Sequence, residues 1–451
     1  MLEIPGLVLE GLGTLVLIGF GLFGILSLRE GETRAAAVSF CLSASGLLIV
    51  LAAALPAAVR LITAASLGLT TAALIIAALL PIGRIALGNT EPAARVDERD
   101  IMFARARLIP GSSEFASYYA MRPENLAGDD LSRSKPGLLS PEAQEANPFL
   151  FASAHAGSEF TEALRGCVDG PIAEVRHALP PAGMTAFIKS LAHYYGALDV
   201  GIAELRPYHV YSHVGRGEGP YGAPIQLEHR FGIAFTVEMD FSMIAANPAA
   251  PGVAESIRQY VEVAKIAVQL ANAIRRLGYP ARAHIDGNYR VVAPLVARDA
   301  GLGEIGRMGL LMTPHLGPRV RLGVVTTGLD LVPDSSPRDF TVIDFCNICR
   351  KCADTCPARA IPFGERDGRD GVLRWRINSD TCYRYWCVVG TDCGICMRVC
   401  PYSHPDSLSH NLMRWGIRRS GFIRRAAWHM DNLFYGRKPP RRISPPWTRV
   451  P

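Results

Sequence analysis

At 451 residues the chain is too long for one simple core, so two or three domains are expected. Hydrophobic residues make up 49% and the mean hydropathy is +0.17, high for a soluble protein, and the excess is local. The formal charge of +6 is unevenly placed, with much of it in the last forty residues.

Residues 11–28, 35–59 and 61–83 contain no Asp, Glu, Lys or Arg. Each is long enough to cross or nearly cross a hydrocarbon core of roughly 30 Å. Three transmembrane helices are predicted, within a membrane domain spanning 1–88; a two-span arrangement is the main variant. A cleaved signal peptide fits poorly, because Glu3 and Glu10 precede the first segment and no basic residue does. Arg29, Arg34, Arg84, Arg95 and Arg99 fall on one side, and the N-terminus with Arg60 on the other. The richer side is expected to be cytoplasmic, which puts the bulk of the chain there on a multi-pass anchor in the inner membrane. The spans carry no His, and acids stand only at their ends, as in a simple anchor.

Residues 89–150 are rich in Pro, Ser, Gly and charge and read as a linker that wraps the next domain. From 151 to 335 the pattern is mixed α+β. Helices are predicted over 183–197 and 252–277, and strands over Val200–Leu205, Gly232–Glu238, Tyr289–Val292 and Val320–Thr326. The run Gly301-Leu302-Gly303-Glu304-Ile305-Gly306-Arg307-Met308-Gly309 permits tight turns or close backbone approach, and by itself names no ligand.

The segment 336–405 holds nine of the eleven cysteines. One group reads Cys346-x2-Cys349-x2-Cys352-x3-Cys356-Pro357, and the other Cys393-x2-Cys396-x3-Cys400-Pro401, with Cys382 and Cys387 just upstream. These are the spacings of a bacterial ferredoxin-like 2[4Fe–4S] module, in which the Cys before Pro ligates the other cluster. Cys346, Cys349, Cys352 and Cys400 are therefore assigned to one cluster. Cys393, Cys396 and Cys356 go to the second, with Cys382 or Cys387 as its last ligand. Zinc sites and disulfide frameworks use other spacings and settings. Cys41 and Cys167 read as ordinary buried thiols. The tail, 406–451, is basic and aromatic, which suits lipid head groups or plain packing better than nucleic acid.

The stretch Ala300–Pro314 with Gly317-Pro318-Arg319-Val320-Arg321 resembles corrinoid-dependent reductive dehalogenases. So do the first cysteine group, Cys382-Tyr383-Arg384-Tyr385-Trp386 and Gly390-Thr391-Asp392-Cys393-Gly394-Ile395-Cys396. Phe103-Ala104-Arg105 and Asp431–Arg437 resemble the family's flanks, so the likeness runs over roughly 95–440. The resemblance implies a base-off cobalamin in a nitroreductase-like α+β domain, followed by the ferredoxin module. The chain departs from respiratory members in lacking a twin-arginine signal and carrying its own membrane helices.

Matching by motif, the resemblance puts a tyrosine acid at Tyr260, an amide at Asn288 and a cation at Arg321, with Arg319 the nearby alternative. It puts cofactor contacts at Gly301, Gly303, Gly306, Arg307, Arg319, Trp386 and His404. It also selects Cys382 over Cys387 as the eighth cluster ligand. The implied reaction is reductive dehalogenation of an aryl or alkyl halide, with electrons passing through the clusters and a proton from the tyrosine. Read as residues alone, Tyr260 also fits a core position, Arg321 an ion pair, Asn288 a turn and Trp386 a cluster shield. The expected partners are a small organohalide, the bilayer and an electron donor of undetermined kind (ferredoxin, flavodoxin, reductase or quinol); no nucleic acid is expected.

Two other readings stand beside this one. Epoxyqueuosine reductases resemble the chain in the cysteine pattern and the Gly-Leu-Gly loop, but commonly show Trp-Ile-Gly-Lys where this chain has Glu304-Ile305-Gly306-Arg307. A membrane electron carrier without catalysis would not need the roughly 180 residues between linker and clusters.

Overall fold

The computed structural model describes residues 4–80, 83, 85–334 and 338–449. Arg84, used in the orientation argument, and the predicted boundary at 335/336 lie outside them. The chain divides into two compact units. One comprises residues 1–85, 344–349 and 406–440, and the other 86–343, 350–405 and 441–451.

In the first unit, helices Ile4–Arg29, Thr33–Ala54 and Ala57–Leu79 are long and apolar enough to cross a membrane. Their outward faces leave Leu15, Leu22, Leu48, Ile62 and Leu69 exposed. That is the pattern of helices whose solvent is hydrocarbon rather than water. Helices Leu408–Arg419 and Gly421–Tyr435 belong to the same unit. Ser420 Oγ donates to the Ala77 carbonyl at 2.9 Å, and Arg34 Nε to the Leu433 carbonyl at 3.1 Å. Most of the tail predicted as a separate segment is therefore built together with the membrane helices.

The second unit is organised by a four-stranded antiparallel sheet. Its strands are β1 (Val200–Glu204), β2 (Phe231–Glu238), β3 (Ala281–His284) and β6 (Val320–Thr327), in the order β1-β2-β6-β3. The short strands β4 (Glu304–Ile305) and β5 (Leu311–Met312) form a separate hairpin. β2 alternates large and small side chains. Phe231, Ile233, Phe235 and Val237 join a core with Val263, Ala267, Leu270 and Ile274 of helix Ala250–Arg276. Ala234 faces the other way, into a core with Val296 and Ala297 of helix Ala293–Asp299. A strand buried on both faces needs this division, because the long helix fills one side and the small residues let the other approach closely.

The predicted strand at Tyr289–Val292 is reduced to a single bridge between Val210 and Val291. The strand that pairs with β6 is instead Ala281–His284. Its neighbours at 285–288 turn back at Gly287, whose φ is +74°, so the chain leaves the sheet before Tyr289. Part of the segment 89–150 is bonded to the helix Ser379–Val389. The amides of Gly137, Gln144, Glu145 and Leu139 donate to the carbonyls of Cys387, Val388, Val389 and Gly390. Those acceptors lie at the C-terminal end of helix Ser379–Val389, where helical carbonyls have no partner of their own.

Gly323 on β6 lies opposite Phe235 on β2. A Cβ at that position would stand 2.1 Å from the Phe235 ring. Gly323→Ala is expected to destabilise the sheet by about 1–3 kcal/mol through overpacking. A thermal midpoint equal to that of the unaltered protein would contradict this packing.

Candidate active site

The polar side of the long helix builds the candidate site. Ser256 and Tyr260 are one turn apart on Ala250–Arg276, on the stripe that further along carries Val263, Ala267 and Leu270. Arg321 on β6 alternates with Gly323 and Val325, so its side chain points to the same helix. Its guanidinium carbon lies 4.7 Å from the centre of the Tyr260 ring. Arg321 Nη2 donates to Ser256 Oγ at 2.6 Å and to Asp392 Oδ2 at 3.0 Å, and Ser256 also hydrogen-bonds Asp392. Arg321 Nε and Asp392 Oδ1 are buried without a hydrogen-bond partner among the described residues.

The Arg321 charge pulls the Tyr260 phenol down, but burial and the carboxylates of Asp286 and Asp392 outweigh it. The phenol therefore stands above its ordinary range and holds its proton at neutral pH.

A second phenol, Tyr289, is raised much further by burial, with Tyr260 and Asp286 adding to the shift. Arg216 is within 5.8 Å of the Tyr289 ring centre and 5.9 Å of Phe103. It is held by Glu98, which is fully buried and accepts from Arg216 Nε at 3.2 Å and from the Gly215 amide at 2.9 Å. The Phe103 ring in turn lies tilted at 5.6 Å from that of Trp386 and edge-to-face at 5.9 Å from that of Tyr383. Trp386 therefore stands in an aromatic group rather than alone. The sequence reading assigned no role to Tyr289, Arg216 or Asp392. Asp392 was legible as the residue before Cys393 in a quoted motif, whereas Tyr289 and Arg216 gave no signal beyond residue type.

The other predicted residues are placed differently. Asn288 is fully buried, and its amide ties β3 to the short helix Leu164–Cys167. Oδ1 accepts from Arg282 at 2.8 Å, and Nδ2 donates to the Arg165 carbonyl at 3.3 Å. Arg319 donates to the Ser403 carbonyl at 3.0 Å and to Glu238 at 2.7 Å. Arg307 donates to the carbonyls of Pro362 and Gly364 at 2.7 Å each, with its guanidinium 4.5 Å from the Trp375 ring centre. Gly301, Gly303 and Gly306 belong to the β4–β5 hairpin and its approach. A Cβ at Gly303 would meet the Met312 carbonyl at 2.2 Å, and the Gly306 amide donates to the Leu310 carbonyl. His404 follows the short turn Pro401–Ser403 and is half-buried.

Among the cysteines of the second unit, Cys396 is pushed far up by burial and by the thiols of Cys393, Cys352, Cys382 and Cys356 around it. Burial raises Cys393 to about 12 and Cys382 to about 11, with Cys356 a neighbour of both. Cys387 is raised by burial, against a bond from the Tyr383 hydroxyl. Cys41 and Cys167, expected to be buried, are exposed instead. Among the described residues no group of three or more His, Cys, Asp or Glu is tight enough for a single metal ion. A cuboidal cluster holds its thiolates further apart than that.

Comparison with known proteins bears on all of this. Residues 345–404 match the family model of the 4Fe-4S dicluster domain. The chain is 33% identical over 302 residues to the tetrachloroethene reductive dehalogenase of Sulfurospirillum multivorans, covering 59% of each. It is 36% identical over 196 residues to the enzyme of that name from Desulfitobacterium hafniense, covering 40% of this chain and 34% of that one. The solved catabolic reductive dehalogenase NpRdhA superposes with a TM-score of 0.62 at 25% identity, over 79% of this chain and 49% of the other. The fold is thus reductive dehalogenase-like, with an iron–sulfur dicluster segment. The chain is a relative of the reductive dehalogenases, as its motifs led one to expect, and it spans 59% of the length of the first of these relatives.

Cys382→Ser is expected to lower bound iron from about eight to about four per chain, and Cys387→Ser to leave it unchanged. Iron analysis of anaerobically purified protein decides this, and the opposite pattern would make Cys387 the ligand.

Proposed function

We propose that this chain is an oxidoreductase that removes halide from a small aryl or alkyl halide at a corrinoid, with electrons supplied through two [4Fe–4S] clusters. The observation that carries the reading is the half-buried Tyr260–Arg321 pair, held by Asp392 of the dicluster segment, within a reductive dehalogenase-like fold. A solved relative described for B12-dependent dehalogenation shares that fold at a TM-score of 0.62 and 25% identity.

The residues present suit an amide-rich, flat cofactor. Arg321 Nε, Asp392 Oδ1, Ser403 Oγ and both polar side-chain atoms of Asn247 are buried without hydrogen-bond partners among the described residues. Asn247 is fully buried between Gly252 and Gly394, and nothing in its sequence context singled it out. These groups, with Trp386 and His404, would hold a corrinoid, while Arg307, Arg319 and the 301–309 hairpin would shape the wall behind it. When bound, the corrinoid would supply the carbon–halogen reduction itself. Cys346, Cys349, Cys352 and Cys400 would hold one cluster, and Cys356, Cys382, Cys393 and Cys396 the other.

The side chains supply the proton and the electrostatics. Replacing halide by hydrogen takes two electrons and one proton. Tyr260 Oη gives its proton to the substrate carbon, and the phenolate left behind faces the Arg321 guanidinium, which stays charged at any working pH. Asp392 and Ser256 keep that guanidinium in place without removing its charge. Asn288 orients the segment carrying Tyr289 through its bonds to Arg282 and Arg165. The three spans anchor the catalytic part, residues 151–335, and the dicluster part, 336–405, at the cytoplasmic face of the inner membrane.

Tyr260→Phe is expected to abolish halide release from a halophenol panel under reduced viologen, with cobalt and iron contents unchanged. Normal turnover in that variant would refute the assignment, and iron without cobalt in the purified protein would remove the corrinoid reading. The raised phenol gives a pH test as well. The acid form persists through neutrality, so turnover falls only as pH rises past the ordinary phenol value of about 10. A loss between about pH 7 and 9 would point to another acid.

A further inference from the structure

The first unit contains a titratable pair that the proposed dehalogenation does not use. His410, on helix Leu408–Arg419, places Nε2 3.3 Å from Glu30 Oε2. Glu30 directly follows the span Ile4–Arg29, so the pair stands where the apolar segment stops. The His410 and Glu30 side chains are only 9% and 15% exposed. Aromatic rings surround them. Phe23 lies 6.2 Å and Tyr435 6.4 Å from the His410 ring, and Phe434 packs at 5.4 Å on Phe23.

Two residues after Tyr435, Arg437 Nη1 donates to the carbonyl of Cys349 at 2.6 Å. Two residues of chain reach at most about 7 Å. The paired groups are thus joined by a short path to a segment carrying two cluster cysteines, Cys346 and Cys349. The two helices that hold His410 and Tyr435 also expose Leu408, Leu412, Trp415 and Leu433 beside Arg418, Arg419 and Arg425. That is the make-up of helices lying in the head-group layer.

The geometry points to a membrane quinol site at His410 and Glu30, through which a lipid-soluble quinol delivers electrons to the cluster of Cys346 and Cys349. Both quinol O–H bonds break and the ring is oxidised to the quinone. The two protons pass to the His410–Glu30 pair and on to water. The two electrons leave one at a time, each reducing one oxidised [4Fe–4S] cluster. This site rests on the clusters alone and stands whether or not the substrate is an organohalide.

The same site must work in reverse, which gives the test. The full chain in lipid nanodiscs, its clusters reduced and excess reductant removed, is mixed with decylubiquinone, and cluster reoxidation is followed optically. Glu30→Gln and His410→Ala should each slow this at least tenfold while ferricyanide reoxidises the variants at the unaltered rate. Reoxidation by the quinone at the unaltered rate in both variants would overturn the site. Should either substitution cost the clusters, a photoreactive azidoquinone on the unaltered protein decides. Labelling of the peptides around Phe23–Glu30 or His410 supports the site, and labelling elsewhere or none refutes it.

Discussion

A guanidinium cannot be buried alone, and the second unit is arranged around that constraint at Arg321. Its charge is met by Asp392 from the dicluster segment, by Ser256 from the long helix and by the face of the Tyr260 ring. A carboxylate, a hydroxyl and a π-face together replace the water that burial removes. Three parts of the chain, at successive separations of 65 and 71 residues, are thereby drawn to one point. The same charge acts on the phenol. Without it, burial and two nearby carboxylates would hold the Tyr260 proton still more tightly, and the phenolate left by proton transfer would have no partner.

The packing behind the site follows from a division of labour along β2 and the long helix. Large residues of β2 meet the helix and small ones meet the opposite layer, so the sheet is covered on both sides and Arg321 emerges at a fixed height. The helix stripe changes character along its length. From Val263 onward it is apolar and fills the core, whereas at Ser256 and Tyr260 it is polar and faces the site. Periodicity alone left Tyr260 open to either role, because core and site lie on one stripe.

In the first unit the C-terminal helices belong with the membrane spans. Arg424 donates to Asp344 and to the Gly83 carbonyl, and its side chain is almost wholly buried. Basic residues that looked alike in the sequence thus divide into two sets. Arg424 and Arg414 are internal, and Arg418, Arg419 and Arg425 are outward. Interior arginines organise the helices, while outward ones beside exposed Leu and Trp suit a lipid surface.

The features legible in the sequence were those written in local spacing. Cysteine intervals marked the dicluster segment, runs without charge marked three helices of membrane length, and periodicities of two and of about 3.6 marked β1, β2, β6 and the long helix. Each depends on neighbours a few residues away, so the linear order suffices. Tertiary structure decided what depends on distant partners. It moved the fourth strand to Ala281–His284, spent Asn288, Arg307 and Arg319 on fixed contacts, and brought Asp392, Tyr289 and Arg216 around Tyr260. It also carried His410 380 residues along the chain to Glu30, at the end of a span that has no histidine of its own. Burial and charge compensation are properties of a packed interior, and no interval along the chain encodes which buried charge will find which partner.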